Sequence, residues 1–224
     1  MNQDLSKFKC LSGSALKTIA VISMTIDHVA LYVMAEHLDM QELWSYDVLR
    51  GVGRMAFPIF AFLVVEGFIY SHNVIRYMAT LFMTAVVSEA PWLLLGQTSR
   101  HNVLFTLLFG LIAINQTDKI KKKSWLVVLP SCLIAAIATW INTDYSWHGI
   151  GLMMIFYLFR GKPSFCFLFG VPFLLEYGVI GTALGILTCL AYNGKRGFIK
   201  GKWTKYVFYL YYPLHLLIIW LIKQ

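Results

Sequence analysis

The chain has 224 residues, 58% of them hydrophobic and only 13% charged, with 16 Phe, 12 Tyr and 7 Trp. A soluble domain is closer to half apolar and a quarter charged, so this composition speaks against a soluble enzyme or scaffold and for an integral membrane protein. The formal net charge of +8 is dispersed over short loops rather than gathered in one patch, which speaks against a nucleic-acid partner.

Apolar runs recur at 15–33, 53–70, 77–95, 103–116, 125–141, 149–160, 164–176, 179–192 and 206–222. The alternation of a barrel strand is absent, so the runs read as helices, which satisfy their own backbone in lipid. The first run is too long for the apolar core of a signal peptide and is followed by no small-residue cleavage site, so it reads as a first transmembrane helix. The expected fold is all-α: a polytopic transmembrane helix bundle of about nine spanning helices, one domain over residues 1–224. Several runs are shorter than the ~20 residues a span usually needs. They are expected to be tilted, broken or buried in the bundle.

With the N-terminus in the cytoplasm, the inner segments hold every Lys and Arg except Arg50, Arg54, Arg100 and Lys223, while Glu36, Asp39, Glu42, Asp47, Asp144 and Glu176 fall outside. The positive-inside rule thus favours a cytoplasmic N-terminus and an outside C-terminus. No matching halves of the transporter kind are visible. Cys10, Cys132, Cys166 and Cys189 have no metal-like spacing and read as packing residues; no metal site is expected.

The runs contain ionisable groups that are costly to insert, about 2.5–3.5 kcal/mol each at a helix centre. Asp27 and His28 lie in "MTIDHVALYVM", Arg50 and Arg54 in "RGVGRMAFPIF", and Glu66 near the inner end of the same run. Glu89 lies in "AVVSEAPW" and His215 in "YYPLHLL"; Arg100 and His101 precede the fourth run. Such groups face one another or water and mark function by default. Counting depth along each helix puts Asp27, His28, Arg54, Glu89 and His215 in one layer. Neighbours i and i+1 point about 100° apart on a helix, so Asp27 cannot orient His28 and another helix must. Glu89 is the first candidate, with Arg54 holding Glu89 or Asp27 ionised. The plainer readings are structural: His215 as a helix-to-helix hydrogen bond, Glu66 paired with Arg76, Arg50 and Arg100 snorkelling to headgroups. The glycine- and lysine-rich "NGKRGFIKGKWTK" suits a phosphate-rich ligand.

The segments "LKTIAVISMTIDH", "GRMAFPIFAFLVVEGF", "RYMATLFMTAVVSEAPW", "NVLFTLLFG" and "YYPLHLLIIW" together resemble the TraX family over nearly the whole chain. The resemblance implies a bacterial inner-membrane acyltransferase, since the founding member acetylates the N-terminal amine of F pilin. It is similar in turn to a wider group of multi-helix membrane acyltransferases that use cytoplasmic acyl-CoA and need an intramembrane histidine. Matched residue by residue, it marks Asp27, His28, Arg54, Glu66, Glu89, Asn102, Thr106 and His215. Acetyl-CoA is the implied donor, and the acceptor is a peptide, a glycan or a small molecule.

The expected reaction places the CoA nucleotide at the cytoplasmic mouth against Lys121 to Lys123 or Lys195 to Lys205, with Lys121, Lys122, Lys195, Arg196 and Lys202 foremost. Asn102, Thr106, His215 and Glu66 are assigned with them to donor binding. His28 is the general base, Glu89 or Asp27 orients it, and Arg54 or Asn102 supports the thioester oxyanion. The rival class is a small proton- or ion-coupled transporter with Asp27, His28, Glu66 and Glu89 as relay. A third is a non-catalytic assembly factor, which would tolerate loss of His28.

Overall fold

A computed structural model describes residues 9–36, 43–120, 128–199, 201 and 204–224. Its helices are α1 (Gly13–Tyr32), α2 (Leu43–Gly53), α3 (Ala56–Ile69), α4 (Val74–Leu94), α5 (Val103–Ile120), α6 (Leu129–Trp140), α7 (Ser146–Leu158), α8 (Pro163–Phe173), α9 (Val179–Leu190) and α10 (Thr204–Lys223). The described residues contain no strand; two isolated bridges, Leu11 with Tyr192 and His101 with Thr143, tie loops together.

The nine apolar segments read from the sequence are all present. Five are long and apolar enough to cross a membrane: α1, α2 with α3 as Leu43–Ile69, α4, α5 and most of α10; α6 to α9 are shorter apolar helices. The second segment differs from expectation by beginning a full helix earlier, at Leu43. Its polar start, which carries Ser45 and Asp47, hides it from a reading based on apolar runs. It then breaks at Arg54 and Met55. Pro58 lacks the N–H that would bond the Arg54 carbonyl, so the helix cannot run straight through.

Short turns make successive helices antiparallel, so the start of α1, the α3–α4 turn, the α7–α8 turn and the α9–α10 segment share one end. That end holds Lys17, Arg76, Arg160, Lys162, Lys195 and Arg196 and is called the basic end below. It is tied by Ser14, whose hydroxyl donates to the Arg196 carbonyl at 2.7 Å and accepts from the Ile199 N–H at 2.8 Å. Gly197 sits at φ +89° against Ser12, where a side chain would clash.

α3 is the most enclosed helix, packed on α1, α5, α7 and α9. α4 and α10 pack on each other but leave Phe82, Met83, Val86, Val87, Leu210, Leu214, Ile218 and Leu221 exposed. Outward apolar faces of this extent suit a lipid surround. Thr18, Thr25, Thr80, Thr84 and Ser88 each donate to the carbonyl four residues earlier, which satisfies their hydroxyls without water.

Candidate functional site

His28 of α1 meets His215 of α10. The His28 Nδ1 to His215 Nε2 distance is 2.7 Å. The ring planes lie 5° apart with centroids 5.0 Å apart, so the rings meet edge to edge in one plane. His215 Nδ1 is 3.0 Å from the Tyr211 carbonyl. A carbonyl only accepts, so His215 Nδ1 carries the proton and its Nε2 is bare. The proton in the 2.7 Å contact therefore belongs to His28 Nδ1, which leaves the His28 Nε2 lone pair free. A second link, Thr25 Oγ1 to the Tyr211 hydroxyl at 2.7 Å, fixes the register of α1 against α10.

Asp27, one residue earlier, points to a different neighbour. Its Oδ1 lies 2.6 Å from Arg50 of α2, and the Arg50 guanidinium also donates to the Asp27 carbonyl at 3.3 Å. The close approach of α1 and α2 depends on Gly53, whose added Cβ would fall 2.4 Å from the Asp27 Cβ. Ser23, one turn along α1, shares its hydroxyl proton between the Val52 and Gly53 carbonyls at 2.6 and 3.0 Å. It thereby satisfies acceptors freed where α2 ends. Arg54 stands in the break between α2 and α3, with one side-chain hydrogen bond among the described residues, 3.5 Å to the Tyr145 hydroxyl.

Tyr145 belongs to the α6–α7 loop, 141–145. Asn142, Tyr145 and Ser146 all have positive φ, at 56°, 59° and 39°. For a bulky side chain such a conformation costs on the order of 1–3 kcal/mol and persists only where the surroundings impose it. Here they do: Tyr145 stacks between Phe57, at 3.7 Å, and Tyr177, at 4.3 Å. The Thr106 hydroxyl donates to the Asp144 carbonyl. The Asp144 N–H donates to the His101 carbonyl at 2.9 Å. Asp144 accepts the Tyr145 N–H at 3.2 Å and lies 3.9 Å from Arg100. Burial, partly offset by Arg54 and Arg100, pushes its carboxyl up to about 6.

These groups share one cavity of about 950 Å³, lined by Asp27, His28, Tyr32, Arg50, Arg54, Asp144 and Tyr145. The same cavity wall includes Lys17, Arg76 and Arg196 at the basic end and Arg100, Glu176 and Tyr177 at the other. The cavity therefore extends from the basic end toward the other, with His28 on its wall. Tyr32, one turn after His28 on the same face, is 3% exposed, and its hydroxyl has no hydrogen-bond partner among the described residues.

The geometry corrects several sequence expectations. Glu89 does not orient His28. It accepts from His101 Nδ1 at 2.6 Å, from Asn102 Nδ2 at 2.5 Å and from the Asn102 N–H at 3.3 Å, because its turn of α4 faces the start of α5 instead of α1. Asp27 pairs with Arg50 rather than Arg54, so Arg50 does not snorkel. Asn102 is fully buried, bonded to Ala85, Glu89 and Leu104, and off the cavity wall; it has no free donor for an oxyanion or a CoA. Thr106, also off the wall, spends its hydroxyl on Asp144. Glu66 pairs with Arg160 at 2.9 Å rather than Arg76 and stands outside the cavity. His215 backs His28 and is likewise not a wall residue. Lys195 contributes its carbonyl to Gly13 and is also off the wall. Lys121, Lys122 and Lys202 lie outside the described residues. Asp27, His28, Arg54 and Arg196 do line the cavity. The sequence reading missed Lys17, Arg76, Asp144 and Tyr145 as wall residues. The first two looked like topology charges and the last two like loop; it is the positive φ of Asn142, Tyr145 and Ser146, seen only in the fold, that singles that stretch out.

The family model described as "TraX protein" matches residues 12–223. The chain is 28% identical over 247 aligned positions, covering 96% of it and 94% of the relative, to a "Probable fimbrial assembly protein FimC, serogroup H1" of Dichelobacter nodosus. It is 45% identical over 47 residues, 21% of its own length and 15% of the relative's, to "Uncharacterized protein RP591" of Rickettsia prowazekii (strain Madrid E). No solved structure matches.

Proposed function

This chain belongs to the TraX family, and from that membership and the placement of His28 we propose a membrane-bound acyltransferase of the bacterial inner membrane. It moves an acetyl or short acyl group from acetyl-CoA to an amine or hydroxyl acceptor. The observation that carries the reading is one cavity whose wall holds both His28, with its Nδ1 bonded to His215, and, at the basic end, Lys17, Arg76 and Arg196. The phosphates of the donor rest against those three cations, of which Arg196 belongs to the basic segment expected from sequence. The thin pantetheine arm extends inward along the cavity. The acceptor enters from the end lined by Arg100, Asp144 and Glu176.

The chemistry follows from the tautomer. His28 Nε2 takes the proton of the acceptor N–H or O–H as that nitrogen or oxygen attacks the thioester carbonyl carbon. Arg54, most of whose donors are uncommitted among the described residues, stabilises the oxygen that becomes negative. The tetrahedral intermediate collapses by breaking the C–S bond, and the proton on His28 passes to the departing CoA thiolate. The relative named for fimbrial assembly favours a peptide acceptor; a glycan or other envelope component fits the same chemistry.

A transport relay of Asp27, His28, Glu66 and Glu89 has less support, since Glu66 and Glu89 are spent on Arg160, His101 and Asn102 away from the cavity. Binding of labelled acetyl-CoA to the purified protein in nanodiscs, followed by label transfer to a panel of peptides and amines, tests the proposal. The expected outcome is tight binding to both the parent protein and His28→Ala, with transfer lost only in the variant. Absence of donor binding to the parent would overturn it.

A further inference from the structure

We infer that His215 is a positioning residue: a neutral imidazole that holds His28 with its proton on Nδ1 so that Nε2 faces the cavity bare. The catalytic meaning of this rests on the transferase reading above; the tautomer itself does not. Three observations converge on it. The 2.7 Å contact between coplanar rings and the 3.0 Å contact from His215 to the Tyr211 carbonyl define a one-way chain of donors and acceptors. His215 is 4% exposed and absent from the cavity wall, so it reaches neither donor nor acceptor. The nearby carboxylates are spent elsewhere, Asp27 on Arg50 and Glu89 on His101 and Asn102.

An imidazole in this role differs from the usual carboxylate. It fixes the ring and tautomer of His28 without adding a negative charge to an apolar bundle, where an isolated ion is costly. When His28 Nε2 gains the acceptor proton, the Nδ1 proton can pass to His215 Nε2. The charge then rests on His215, which keeps its Nδ1 proton on the Tyr211 carbonyl. On return of that proton, His28 gives up the one on Nε2 to the thiolate. No proton or electron is left over. The Tyr212 ring, 5.3 Å from His215 and set across it at 64°, and the Thr25–Tyr211 bond keep the pair in register.

The test uses the full chain in lipid bilayers, labelled with nitrogen-15 histidine, together with His215→Gln and His215→Leu. In the parent, nitrogen shifts are expected to show His28 protonated at Nδ1, with an N–H···N coupling to His215. Gln can both accept from His28 and donate to Tyr211, so His215→Gln is expected to keep much of the turnover. His215→Leu is expected to lose about 10²-fold or more in kcat, with KM for acetyl-CoA unchanged. A parent His28 protonated at Nε2, or a His215→Leu variant with near-normal kcat, would overturn the inference. The coupling without any acetyl transfer by the parent would support the dyad and overturn the transferase reading.

Discussion

His28 and His101 each bond a polar partner on a neighbouring helix, at 2.7 and 2.6 Å, yet the two sites are built for different ends. His101 meets the carboxylate of Glu89, which also takes two N–H groups of Asn102. The trio locks the start of α5 to α4 and, through the His101–Thr143 bridge, holds the α6–α7 loop. His28 meets a second imidazole with no charge of its own and itself lines the cavity. The carboxylate partner makes His101 part of a latch; in the proposed reaction the neutral partner leaves His28 free to act as the base. Burial differs in step: the His101 side chain is 50% exposed, whereas His28 is reached through the cavity.

The comparison is sharpest in the histidines themselves. His28→Ala is expected to lower turnover per folded molecule by about 10²–10⁴-fold, while His101→Ala keeps turnover per folded molecule within a few fold. Comparable losses in both would erase the distinction. Glu89→Gln breaks the latch and is expected to cost about 1–3 kcal/mol of stability, read as a lower melting temperature in nanodiscs, with acetyl-CoA binding retained.

A smaller effect concerns Asp144. Its carboxyl is raised to about 6 from an ordinary value of 3.8 by burial, so its contribution to stability is full below about pH 4 and is lost as pH rises through 6. Asn keeps an acceptor for the Tyr145 N–H. Asp144→Asn is therefore expected to melt higher than the parent at pH 7.5 and alike at pH 4; the same difference at both pH values would contradict that origin. Smallest of all is Tyr32→Phe. Removing a buried hydroxyl that lacks a partner is expected to be neutral or slightly stabilising, and a drop of several degrees would reveal a bond made by that hydroxyl.

Much of the bundle was legible because apolar runs and basic loops report lipid directly. α2 was not, because its amphipathic start looks like loop. The polar residues were legible as a set: Asp27, His28, Arg54, Glu89 and His215 stood out by their cost in lipid. Their pairing was not. Depth along a helix says which residues share a layer, but which faces meet depends on helix contacts across the bundle. α1 turned out to pack on α2 and α10, and α4 on α5 and α10. Hence Glu89 went to His101 and His28 to His215. Asp144 and Tyr145 needed the fold itself, since a loop residue acquires a role only where the chain returns over the cavity.

The central claim is that a donor entering from the basic end reaches position 28. Mixed disulfide exchange measures this directly: a His28→Cys variant in bilayers is treated with CoA disulfide and mapped by peptide mass. A CoA adduct at position 28, blocked by acetyl-CoA and absent from a Val29→Cys control, is the expected result. Labelling of the exposed native Cys10 with none at position 28 would contradict the claim.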